Sequence, residues 1–189
     1  MSIDPSANVV VSDGDPWPLG ATWLEESGEW NFALYSKHAE KVELLLYTEG
    51  DSAVPSATVE LDYLHHKSGP IWHCRVQEKE MASARFYAYR VCGPGAGVAG
   101  SWHAFCAEKI LLDPYARAIH FPKRFSRQAA IEAGPNDGRA PLGVLHSQQC
   151  AFDWGNEDRS SHRHDLIIYE LHVAGFTRHV SSGLPEDRR

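Results

Sequence analysis

From Gly20 onward, short apolar-rich runs alternate with clusters of turn residues, a spacing that favours strands over helices. The runs are ATWLEE, WNFALYS, KVELLLY, ATVELDYL, IWHCRVQ and ARFYAYRVCG, each bounded by Gly, Ser, Pro or charge. In KVELLLY the period is two, so Val42, Leu44 and Leu46 fall on one face and Glu43, Leu45 and Tyr47 on the other. Between the first two runs, Ser27-Gly28-Glu29 predicts a hairpin turn in which Gly28 takes the positive φ. Six such runs before Gly93 predict an all-β sandwich.

Beyond Gly93 the pattern changes twice. GPGAGVAGS (93–101) is too glycine-rich to hold one conformation and predicts an exposed loop. KILLDPYA ends at Asp113, because Pro114 drives its predecessor out of the helical region. Residues 119–164 read as an irregular linker, broken by GPNDGRAPLG, with one short helix expected at SRQAAIEA. A connection of that length is uncommon inside a compact domain, so it is expected to leave the sandwich. In DLIIYELHVAGFT, residues Leu166, Ile167, Ile168, Tyr169, Leu171 and Val173 form a nearly continuous apolar run. That predicts a strand covered on both faces, as in a parallel sheet. The expected organisation is a flexible tail at 1–17, a sandwich at 18–118, the linker, and the start of a different architecture at 165–189.

Composition narrows the function. The 189 residues are 43% hydrophobic and 23% charged, ordinary globular values. A net charge of −7 with scattered Lys and Arg excludes a phosphate-tracking nucleic-acid surface. There is no membrane-length apolar run and no basic leader before an apolar stretch, so a cytoplasmic protein is expected. Cys74, Cys92, Cys106 and Cys150 show no C-x-x-C spacing and are expected as free thiols, with Cys74 and Cys92 on neighbouring strands. The histidine clusters, His65-His66 and His162/His164/Asp165, lack ligand spacing, so no metal or cofactor is expected. The Gly-x-Gly-x-x-Gly at 95–100 follows a strand but opens no helix, and is read as accidental. No Gly-x-Ser-x-Gly elbow is present.

PLGATW, WNFALYSKHAEKVELLLY, YAYRVCGP, KILLDPYARAI, FDWG and DLIIYELHVAGFTRH occur in this order. Together they resemble the N-terminal part of bacterial glycogen debranching enzymes and isoamylases, members of glycoside hydrolase family 13, from Pro18 to the end of the chain. The resemblance implies an immunoglobulin-like β-sandwich of carbohydrate-binding module family 48, and makes LIIYELHV similar to the first strand of a (β/α)8 barrel, here truncated. It further implies retaining hydrolysis of α-1,6 branch points by carboxylates on later barrel strands, a pair about 5 to 5.5 Å apart. None of those motifs is present. Asp165 and Glu170 would point to opposite faces of a strand, and Glu186 and Asp187 lie in a polar tail, so no catalytic residue is assigned.

Sugar recognition needs flat rings beside polar donors. Trp30, Trp102 and His103 are therefore the candidate carbohydrate-binding residues, against the general tendency of strand aromatics to fill cores, which Trp72 is expected to do. In sugar-binding relatives a lysine commonly lies between the two aromatics matching Tyr87 and Tyr89; here that position is Ala88, which favours docking over independent affinity. Where the family shows His-Arg-Phe-Asn-Pro, this chain has His103-Ala104-Phe105-Cys106-Ala107. Asp113, Pro114 and Tyr115 are candidates for positioning the sandwich against a barrel, or form a tight turn within the module; Tyr115 can bury its ring while keeping its hydroxyl paired. The expected partner is an α-glucan such as glycogen, or the catalytic barrel. An autonomous glucan-binding module and a protein-docking sandwich are the alternatives, the latter including self-association through 166–173.

Overall fold

The computed structural model describes residues 9–81, 83–94, 103–145 and 167–188. Ten strands are present among the described residues: β1 (Val11–Ser12), β2 (Gly20–Leu24), β3 (Glu29–Tyr35), β4 (Lys41–Tyr47), β5 (Ala57–Glu60), β6 (Lys67–Ser68), β7 (Ile71–Gln77), β8 (Phe86–Cys92), β9 (Ile119–His120) and β10 (Leu142–Val144). Helix α1 spans Arg127–Ile131 and α2 Val173–Phe176. One antiparallel sheet runs β1-β7-β3-β2 with β6 on β7; the other runs β5-β4-β8-β10-β9. The six apolar runs are β2, β3, β4, β5, β7 and β8. Gly28 has φ +65° at the β2–β3 turn, as its sequence context predicts.

Alternation decides what each sheet buries. Trp30, Phe32 and Leu34 of β3 and Trp72, Cys74 and Val76 of β7 share one core with Val42, Leu44 and Leu46 of β4 and Tyr87, Tyr89 and Val91 of β8. The other face of the second sheet carries Leu45, Tyr47, Phe86 and Ala88, which pack with Ile110, Ala140 and Leu142. Covering a large apolar side chain is worth about 1.5–3 kcal/mol, enough to hold a returning segment against that face.

That return corrects the linker reading. Rather than leaving the sandwich, the chain adds β9 and β10 to the second sheet, with Gly143 and Val144 paired to Tyr87 and Phe86. Two side chains secure the excursion. Lys109 is buried and its Nζ donates to the carbonyls of Ala129 and Glu132, 2.6 Å each, at the end of α1. Asn136 accepts from the Ile110 amide at 2.7 Å and donates to its carbonyl at 3.0 Å, standing in for a strand neighbour. Ser126 caps α1, its Oγ accepting from the Ala129 amide.

The tail at 1–17 is likewise partly structural. β1 pairs with β7, the Asp15 carboxylate meets the Arg75 guanidinium, and Asn31 exchanges hydrogen bonds with the Asp15 backbone. Cys74 and Cys92, expected on adjacent strands, lie in different sheets. Burial pushes the Cys74 thiol up to about 12, which makes it inert.

Residues Cys150–Arg189 form a separate compact unit. Among its described residues, 167–172 join no ladder where a strand was expected, and α2 begins at Val173. Ile167 and Ile168 are 93% and 86% exposed. A strand meant for burial on both faces has no ladder without neighbours on either side.

Candidate functional site

Trp30 lies in the core rather than on an open face. It is 5% exposed, and its ring packs against Trp23 at 5.6 Å and Phe32 at 6.3 Å. It also lines a recess of about 350 Å³ with Glu78, Lys79, Met81 and Arg85. Trp102 lies outside the described residues, as do the glycine motif at 95–100 and His162, His164 and Asp165. Trp72 is in the core at 1% exposure, its indole N–H donating to the Ser36 carbonyl at 3.0 Å.

His103 lies where loops gather at one end of the sandwich. Its ring is 4.2 Å from that of His38, in the β3–β4 connection, and 6.0 Å from Phe105. Gly93 makes this approach feasible, since a Cβ there would meet the Phe105 ring and the His38 carbonyl. Burial lowers the His38 pKa, helped by His103, Lys37 and Lys67, so its imidazole is neutral near pH 7. Beside it, the Lys67 ammonium sits 4.3 Å from the centre of the Tyr63 ring and 4.7 Å from that of Trp72. Tyr63, His38 and Lys67 carry no local motif; they become visible only when the β3–β4 connection meets the stretch between β5 and β7.

The face where the resemblance expects a lysine is closed. Ala88 is fully buried, packed with Leu45, Phe86, Ile110 and Leu142. An ammonium there would lose its water with no carboxylate among its packing neighbours.

Asp113 is buried at 1% exposure; Oδ2 accepts from the Tyr87 hydroxyl and Oδ1 from the Tyr115 amide, both at 2.8 Å. Burial raises its pKa, opposed by these two hydrogen bonds. The turn closes through the Ala116 amide to the Asp113 carbonyl. Pro114 and Tyr115 point outward. Tyr115 is 54% exposed, and its backbone and Cβ rather than its ring approach Gly20. With Leu111, Ile119, Phe121 and Ile131 it adds to the exposed apolar side chains of residues 111–131.

Among the described residues no group of three His, Cys, Asp or Glu side chains is placed to hold a metal. His66 is committed to its own loop, Nδ1 accepting from the Asp62 amide at 2.9 Å. Glu170, Glu186 and Asp187 are all exposed.

The sequence pattern described as "Carbohydrate-binding module 48 (Isoamylase N-terminal domain)" matches residues 18–116. Isoamylase 3, chloroplastic, of Oryza sativa subsp. japonica is 36% identical over 185 residues, covering 94% of this chain and 22% of the relative. The glycogen operon protein GlgX homolog of Mycobacterium tuberculosis (strain ATCC 25618 / H37Rv) is 33% identical over 192 residues, covering 94% of this chain and 24% of the relative. The chain thus spans between a fifth and a quarter of the length of these relatives. A solved structure, the catalytic module of the multi-modular glycogen-degrading pneumococcal virulence factor SpuA, matches with TM-score 0.47 and 21% identity over 71% of this chain and 17% of that one.

Proposed function

Since the chain belongs to the carbohydrate-binding module 48 family, the isoamylase N-terminal domain, we propose that it serves as the N-terminal module of an isoamylase- or GlgX-type enzyme that hydrolyses α-1,6 branch points in glycogen. The observation that carries this reading is that similarity to isoamylases and GlgX homologs continues past residue 116, over 94% of the chain. The tail of the sequence is therefore shared with debranching enzymes along with the sandwich.

In this reading the immunoglobulin-like sandwich packs beside a (β/α)8 barrel and helps present branched α-glucan. The run at 166–173 is the barrel's first strand, which takes up its ladder once neighbouring strands flank it. Two features support a docking component: the sealed face at Ala88, and the exposed apolar side chains at Leu111, Tyr115, Ile119, Phe121 and Ile131. Asp113 and Pro114 set the turn that presents Tyr115. A cytoplasmic setting belongs to the same reading, supported by the free thiols at Cys74, Cys92 and Cys106.

The test is a pair of measurements on the purified chain. Migration through glycogen-containing native gels should be retarded, and no reducing ends should be released from glycogen. Unretarded migration at high glycogen removes the glucan role; release of reducing ends overturns the assignment as a non-catalytic module.

A further inference from the structure

We propose that Tyr63, Lys67, His38 and His103 form an α-glucan-contact platform at the loop end of the sandwich, a placement that rests on the glucan reading above. Three stretches of the chain build it. The residues after β3 supply His38, those after β5 supply Tyr63, β6 supplies Lys67, and the segment opening at 103 supplies His103. They are tied by the Trp72 indole bond to Ser36 and by Lys67 Nζ reaching the Ala39 carbonyl at 3.5 Å.

The chemistry suits a neutral sugar. A pyranose ring presents C–H faces that lie on flat rings and hydroxyls that need donors and acceptors at the edge. Tyr63 stands at 77° to Trp72 and remains 58% exposed. The loop that carries it is fixed in advance: Asp62 Oδ1 accepts from the Leu64 and His65 amides at 2.8 and 3.0 Å. A preorganised loop does not lose entropy on binding, which favours affinity.

Lys67 forms no ion pair among the described residues, so its ammonium, held between two rings, keeps N–H donors for hydroxyl oxygens. The imidazole of His38, neutral near pH 7, both donates and accepts, as a hydroxyl requires. A phosphate-type anion would instead call for several charges converging on one point.

Maltoheptaose titrated into the whole chain at pH 7 tests the site. Tyr63→Ala and the double change His38→Ala with His103→Ala should each weaken binding by about three- to tenfold, the size of one ring contact, while Tyr63→Phe keeps wild-type affinity. Amide shifts of the wild-type protein give a second readout should a variant fail to fold: perturbations must include Tyr63, Lys67, His38 and His103. Wild-type binding that these variants leave unchanged, or shifts confined elsewhere, overturns the platform and leaves the wider glucan role standing. Absence of any wild-type binding to maltoheptaose or glycogen overturns both. Displacement of maltoheptaose by inorganic phosphate overturns the assignment of a neutral ligand.

Discussion

The Tyr87 hydroxyl donates to Oδ2 of Asp113 across 2.8 Å, and each residue is only 1% exposed. One phenol thus links β8 to the turn after Ile110. Both groups are shifted upward by burial. Tyr87→Phe should therefore cost about 1–3 kcal/mol, since it strands a buried carboxylate with one partner fewer. Urea denaturation measures it. Asp113→Asn, which removes the buried charge and keeps the shape, should cost less than Asp113→Ala.

Acid should weaken the fold through two buried histidines. Burial is the largest cause lowering the pKa of both His66 and His73, with Asp13 opposing in each case, Asp62 opposing at His66 and Asp15 at His73. The folded state then refuses protons that the unfolded chain accepts. This contribution is whole above the ordinary value of 6.5 and is lost as pH falls from there through the depressed folded values. Thermal melts should decline as pH falls below 6.5, and His66→Asn with His73→Gln should flatten that decline.

Lys109 offers a sharp test of how the returning segment is held. Lys109→Met removes the donor for two carbonyls at 2.6 Å, and should cost about 1.5–3 kcal/mol, the range for hydrogen bonds to a charged group. Hydrogen exchange should quicken at α1 before it does in β4 or β8.

Ala88→Lys should not restore the lysine found in sugar-binding relatives. It places an ammonium in a packed apolar layer, costing several kcal/mol, so about 3 or more. The variant should melt far below the wild type, with no gain in glycogen-gel retardation.

The exposed run at Ile167, Ile168, Tyr169 and Leu171 should associate. Sedimentation velocity should show concentration-dependent dimers or larger species. Ile167→Lys with Ile168→Lys should return the protein to monomer. A monomeric wild type with fast amide exchange across 167–172 would contradict this.

The sandwich strands were legible because their alternation is dictated by two unlike faces. In β4 the parity of Val42, Leu44 and Leu46 separates one core from another in sequence and in space. The same parity argument places Trp30 with Phe32 and Leu34, on the inward face. β9 and β10 escaped notice because they are two and three residues long, with Gly143 at a position where any Cβ would strike the Tyr87 ring. Their anchors, Lys109 and Asn136, act across 20 and 26 residues, which no local pattern records. The His38, Tyr63 and Lys67 grouping was illegible for the same reason.

The stand-in pairing of Asn136 with Ile110 has a consequence for modularity. Cutting the gene after residue 116, where the family pattern stops, would strip the lid from Leu45, Tyr47 and Phe86 and leave a sticky slab. Whatever is inherited, transplanted or expressed as one autonomous piece must run at least to Leu145, whose amide closes on the Arg85 carbonyl.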